Sequence, residues 1–156
     1  MGGTVGSEHR IVVGVDGSEL SKQALRWAIE QARLTGAVVD AVIAWIYPTV
    51  YGWAMTKRDP QLDHTAEKVL SDTVEDVAGP EPQVEIRQSS VPGNATEVLL
   101  ERSRGADLLV LGSRGLGGFA GALLGSVSRH CVQHATCPVV VVPGVQGREP
   151  ASALHA

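Results

Sequence analysis

The sequence predicts a doubly wound α/β domain, a five-stranded parallel sheet in the order 3-2-1-4-5 with helices on both faces. Two observations carry this expectation. Short apolar, β-branched runs alternate with stretches of helical periodicity from Arg10 to Pro143. The runs "LLVL" and "VVVV" are apolar at every position, as strands buried on both sides are.

The five strands are read as "RIVVGV" (Arg10 to Val15), "VVDAVIAW" (Val38 to Trp45), "VEIRQS" (Val84 to Ser89), "DLLVLG" (Asp107 to Gly112) and "PVVVVP" (Pro138 to Pro143). Helices fill the gaps. Leu25, Ala28, Ile29 and Ala32 repeat at i, i+3, i+4, i+7, and Leu62, Ala66, Val69, Leu70, Thr73 and Val77 make a second stripe. Ala95, Val98 and Leu99 mark a shorter third helix after the "PGN" turn, and Val127, Cys131 and Ala135 mark a fourth. The segment "IYPTVYGWAMTKRDP" (Ile46 to Pro60), with Tyr47, Tyr51 and Trp53, is expected to be a long loop.

With 156 residues the chain fits one domain that needs neither metal nor disulfide to hold a core. Its boundaries are read as a flexible N-terminus over 1–9, one domain over 10–144 and a flexible tail over 145–156. Aromatic residues are only 4% against 44% hydrophobic, so Val, Leu, Ile and Ala must build the core. A formal net charge of −4, with no cluster of Lys or Arg, argues against a nucleic-acid surface. The start "MGGTVGSEHR" has no apolar h-region, and Pro48 breaks the apolar stretch from Ala41 well short of a membrane span. Cys131 and Cys137 are too few for a disulfide scaffold, and a cytoplasmic location without a membrane is expected.

In the order 3-2-1-4-5 the chain reverses direction between the first and fourth strands, and ligands bind beyond the strand ends at that point. Those ends carry "VDGS" (Val15 to Ser18) and "GSRG" (Gly112 to Gly115). Six glycines fall within Gly112 to Ser126, a density that calls for unusual backbone angles or for close approach to a ligand. A Walker A loop is excluded, because no glycine in the chain precedes a lysine. Gly115, Gly117 and Ala120 match a dinucleotide fingerprint, but after the wrong strand and with no acid where one is needed to hold a ribose.

A third pattern, G-x2-G-x9-G-[ST], is complete at Gly112, Gly115, Gly125 and Ser126. Together with "IVVGVDGSE" and "ADLLVLGSRGLGGFAGALLGSVSRHCVQHATCPVVVVP", it resembles the universal stress protein family of the ATP-binding type. The physical chemistry agrees. Gly125 and Ser126 open the last helix, where unpaired N–H groups and the helix dipole favour an anion. The competing reading is a tight turn followed by Ser126 as an ordinary N-cap.

The resemblance implies a Rossmann-like fold similar to the adenine nucleotide alpha hydrolases. It carries the nucleotide site onto Gly14, Val15, Asp16, Ala44, Gly112, Arg114, Gly115, Gly125, Ser126, Val127 and Ser128, with Arg129 nearby. Asp16 would lie beside adenine and ribose, and Ala44 would offer backbone groups to the adenine edge. The ligand implied is ATP, with Mg2+ on its phosphates, while some relatives bind AMP or cyclic AMP. No catalytic residue is identified: the Gly112 to Arg129 segment has neither a Walker lysine nor an acid, so slow hydrolysis or autophosphorylation is the most chemistry expected.

Three functions fit the pattern: a nucleotide-dependent signalling module for stress or energy state, an ATP-using enzyme, and a nucleotide-free interaction protein. His130 and His134 stand at i, i+4 near two cysteines, but Cys131 replaces the glutamate of H-E-x-x-H and no metal site is expected. The apolar strand Pro138 to Pro143 falls at a sheet edge and is expected to pair a homodimer, which the family resemblance also implies.

Overall fold

β1 (Arg10–Gly14) lies at the centre of a five-stranded sheet, flanked by β2 (Val38–Trp45) and β6 (Leu108–Gly112), with β5 (Ile86–Pro92) and β7 (Val139–Val142) at the edges. The structure, a computed structural model, describes residues 8–46, 49–50, 53–54, 60–113 and 125–144. All four strand pairings of this sheet are parallel, and the order β5-β2-β1-β6-β7 is the predicted 3-2-1-4-5. Parallel neighbours need crossovers, and α1 (Glu19–Thr35), α2 (Pro60–Ala78), α3 (Ala95–Arg102) and α4 (Ser126–His134) supply them.

The strand pleat sorts the core into two layers. Ile11, Val13 and Val15 point to one face and pack with Val39, Ala41 and Ile43 under α1 and α2. Val12, Val42, Leu109 and Leu111 point to the other face, where Val98 and Leu99 of α3 and Cys131 of α4 cover them. α1 buries Ser21, Ala24, Leu25, Ala28 and Ala32, a stripe of mostly small residues that lets the helix lie close to the sheet. Ser18 caps it, its hydroxyl accepting from Ser21 N–H at 3.2 Å, and Gly36 closes it at φ 81°.

Three details depart from the sequence expectations. The third strand of the five runs from Ile86 to Pro92 rather than from Val84 to Ser89. Its polar "RQSS" segment has little strand propensity of its own, and pairing along β2, from Val39↔Ile86 to Trp45↔Pro92, sets its length. The expected long loop holds a short antiparallel ribbon, β3 (Thr49–Val50) with β4 (Trp53–Ala54), and Pro60 already begins α2. Tyr47 and Tyr51 lie outside the described residues. Finally, the buried Asp40 interrupts an otherwise apolar β2 and is paired with Arg10 at 3.5 Å, whose guanidinium also donates to the carbonyls of Arg102 and Arg104.

Among the described residues no helix is long and apolar enough to cross a membrane.

Candidate nucleotide site

The central strand stops before its neighbours do. The β1–β6 ladder ends at Val13↔Val110 and the β1–β2 ladder at Gly14↔Val42, while β2 continues to Trp45 and β6 to Gly112. A crevice opens above Gly14. It holds a cavity of about 110 Å3 whose walls include Gly14, Val15 and Asp16 from β1 and its following turn, Val42 and Ala44 from β2, and Gly112, Val127 and Ser128 from the far side.

Seven of the predicted site residues therefore meet in one place: Gly14, Val15, Asp16, Ala44, Gly112, Val127 and Ser128. Ser126 lines a neighbouring cavity instead, and Gly125 is the N-cap of α4. Arg114 and Gly115 lie outside the described residues. Sequence reading missed Ser18, Ser21, Val42, Ala95, Leu99 and Leu111 as lining residues. Val42 was legible in principle, since it stands two positions before Ala44 on the same strand face; Ala95 and Leu99 were read only as a helix stripe.

Ala44 presents backbone as well as side chain. In a parallel ladder alternate residues aim their peptide groups at the same neighbour. Val38 N–H donates to His9 O and Val42 O accepts from Val15 N–H, so the even residues of β2 address β1, whereas Val39 N–H turns to Glu85 O. Ala44 is the next even residue, and β1 has ended. Its N–H and C=O are aimed at the crevice.

Asp16 is exposed and held in a local turn. Its Oδ1 accepts from Ser18 N–H at 2.9 Å and its own N–H donates to Ser21 Oγ at 3.3 Å, while Gly17 takes the positive φ of 83° that the turn requires. The Asp16 side chain supports the start of α1, but the helix cap itself is Ser18.

The first turn of α4 is open. Gly125 has no side chain to cap it, and the first helical hydrogen bond is Arg129 N–H to Gly125 O at 2.9 Å, which leaves the N–H groups of Ser126, Val127 and Ser128 without helical acceptors. The reading of Ser126 as an ordinary N-cap is thereby set aside, because Ser126 is the first helical residue. Gly125 N–H donates to Ser113 O at 2.7 Å and Ser113 N–H to Val142 O at 3.0 Å, so both ends of the glycine-rich segment meet at the end of β6.

Two glycines have packing roles that the sequence did not reveal. A Cβ on Gly112 would stand 3.1 Å from both Leu20 Cβ and Leu20 O, so this glycine lets α1 approach β6. A Cβ on Gly14 would meet Leu111 and Leu99 side chains at 2.9 and 3.0 Å. Ser128 is likewise committed, its hydroxyl donating to Gly112 O at 2.7 Å.

His130 and His134 are exposed and stacked, and Cys131 is buried, its thiol pushed up to about 11 by desolvation and by nearby Cys137. Among the described residues no group of three His, Cys, Asp or Glu side chains is placed to hold a metal.

A model of the universal stress protein family matches residues 8–143. The chain belongs to that family. It is 33% identical over 148 residues to a universal stress protein of Mycolicibacterium smegmatis, covering 88% of this chain and 49% of the relative. The chain spans about half the length of the curated universal stress proteins it matches. Among solved structures it is similar to a universal stress protein in complex with cAMP, at 26% identity and a TM-score of 0.62, over 88% of this chain and 98% of that one. The universal stress protein from Archaeoglobus fulgidus in complex with dAMP, at 23% identity and a TM-score of 0.64, shares the fold over 87% of this chain and 98% of its own.

Proposed function

We propose that this universal stress protein binds an adenine nucleotide, ATP first, in the crevice above Gly14 and acts as a nucleotide-dependent module reporting stress or energy state in the cytoplasm. The observation that carries the reading is the pairing of two unlike walls. Val42, Leu99 and Leu111 give the cavity an apolar side for a base, with the peptide groups of Ala44 at its edge. Opposite stands the uncapped first turn of α4, whose three N–H groups and dipole suit a phosphate.

In this reading Asp16 keeps a carboxylate oxygen for the ribose, and Gly115, Gly125 and Ser126 bring the motif backbone and a hydroxyl to the phosphates. Mg2+ would accompany the phosphates. Hydrolysis is slow, below the roughly 1 s⁻¹ of ordinary enzymes, because among the described residues no lysine lines the cavity and its acid, Asp16, is engaged with the ribose in this reading. AMP and cyclic AMP are the competing ligands, and the 26% identical relative solved with cAMP keeps them in view.

Mass spectrometry of small molecules released from the purified protein, followed by calorimetry with ATP, AMP and cyclic AMP, tests the proposal. A protein that carries no nucleotide and binds none of the three is an interaction protein instead, and steady turnover well above 1 s⁻¹ would make it an enzyme. The homodimer belongs to the same proposal: among the described residues β7 is an outer strand, and its outward peptide groups would pair with a second copy.

A further inference from the structure

Ala95 and Val127 line two cavities at once. Behind them lies a second space of about 350 Å3, set between the first turns of α3 and α4 and otherwise lined by Asn94, Thr96, Glu97, Ser126 and His130. The first chamber is walled mainly by apolar side chains and the second mainly by polar ones.

His130 is arranged to offer one ring nitrogen. Its Nδ1 lies 2.8 Å from Ser126 O, and since a carbonyl can only accept, Nδ1 carries the proton. Nε2 makes no hydrogen bond among the described residues. The ring stacks on His134, with centroids 6.4 Å apart and planes 17° from parallel, which limits its freedom. Asn94 Oδ1 accepts from Glu97 N–H, which leaves the side-chain amide N–H groups for another partner.

We infer that this second chamber receives the part of a nucleotide beyond the 5′ α-phosphate, and that His130 is the residue that separates 5′-extended nucleotides from monophosphates. The inference rests on the nucleotide reading above. Ala95 and Val127 are common to both linings, so a ligand whose base fills the apolar chamber reaches the second past them with its farthest-reaching part, the phosphate chain. In a cyclic monophosphate the phosphate folds back on the ribose and ends short of this space. Nε2 accepts from a protonated phosphate oxygen or, once protonated, donates to an ionised one, with Asn94, Thr96 and Ser126 as further donors. Glu97 opposes them: its carboxylate suits the first turn of α3 but repels an anionic chain.

Calorimetry on the full chain with ATP, AMP and cyclic AMP tests this on wild type, His130→Ala, Thr96→Phe and Glu97→Gln. Wild type should prefer ATP. His130→Ala should weaken ATP about tenfold, the size of one charge-assisted hydrogen bond, and leave AMP unchanged. Thr96→Phe fills the chamber by a different route and should do the same, so a folding defect in one variant cannot carry the result; thermal melting monitors both. Glu97→Gln should tighten ATP. Equal affinity of wild type for ATP and AMP, or equal losses for both ligands in the variants, would overturn the assignment while the nucleotide site stands. Failure of all three ligands to bind wild type removes both.

Discussion

Ser128 and Gly112 are joined by a 2.7 Å hydrogen bond from the serine hydroxyl to the glycine carbonyl, sixteen positions apart in sequence. The bond fixes the first turn of α4 against the end of β6, and with it the geometry of the crevice. Ser128 is only 3% exposed, so its hydroxyl is largely withdrawn from bulk water. Ser128→Ala should cost about 1–2 kcal/mol, lowering the melting temperature by about 2–4 °C for each kcal/mol in a chain of this size. Calorimetric melting checks it; an unchanged transition would mean that the bond contributes nothing.

Gly112 and Gly125 belong to one motif yet should fail differently. Gly112→Ala places a Cβ against the Leu20 backbone and should destabilise the fold by about 1–3 kcal/mol. Gly125 sits at φ −74° and ψ 172°, extended backbone open to any residue. Gly125→Val should therefore keep the melting temperature, and combined with Gly115→Val it should abolish ATP binding. Unchanged affinity in calorimetry would remove the motif from the site.

Cys131 gives the fold a sensitivity to alkali. Its thiol pKa rises from 9.0 to about 11 on folding, so the unfolded chain ionises first. The stability from the neutral buried thiol is fully present below pH 9 and is lost progressively between pH 9 and about 11. Cys131→Ala should lower stability at neutral pH, because it empties buried space, but should show a shallower decline over that window. Parallel urea titrations of both proteins give the comparison; identical slopes would contradict the burial argument.

The dimer is tested best through the backbone of β7. Val140 and Val142 pack on the α1 side of the core, and Val139 on the α4 side, so charges at Val140 and Val142 would strike the fold as well as the edge. Pro138 O and Val142 O accept from β6, which turns the peptide groups of the odd residues outward. Val141→Pro removes one outward N–H and no bond to β6. Light scattering should find a wild-type dimer and a variant monomer; a monomeric wild type would end the proposal.

The sheet order, the helix faces and the place of the crevice were legible because they rest on periodicity and on the rule that parallel strands need crossovers. Burial of Leu25, Ala28 and Ala32 follows directly from their spacing. The extent of β5 was not legible, since "RQSS" becomes strand only by pairing with β2. Nor was the short ribbon inside the expected loop, where two-residue strands leave no periodicity to detect.

At the site, the motif and the family resemblance together pointed to residues that line one cavity: Asp16 just after β1, Ala44 near the end of β2, and Gly112 with Val127 and Ser128 around the motif. Tertiary structure alone decided what each of them does there. Leu20, ninety-two positions away, makes Gly112 a packing glycine, and the Ser128 hydroxyl is committed to Gly112 O. Gly125 leaves α4 uncapped, and the early end of β1 turns the peptide of Ala44 into the open. Local pattern fixes where an element begins and ends, but the partner of a backbone group or a missing Cβ is set by chain that is distant in sequence and close only after folding.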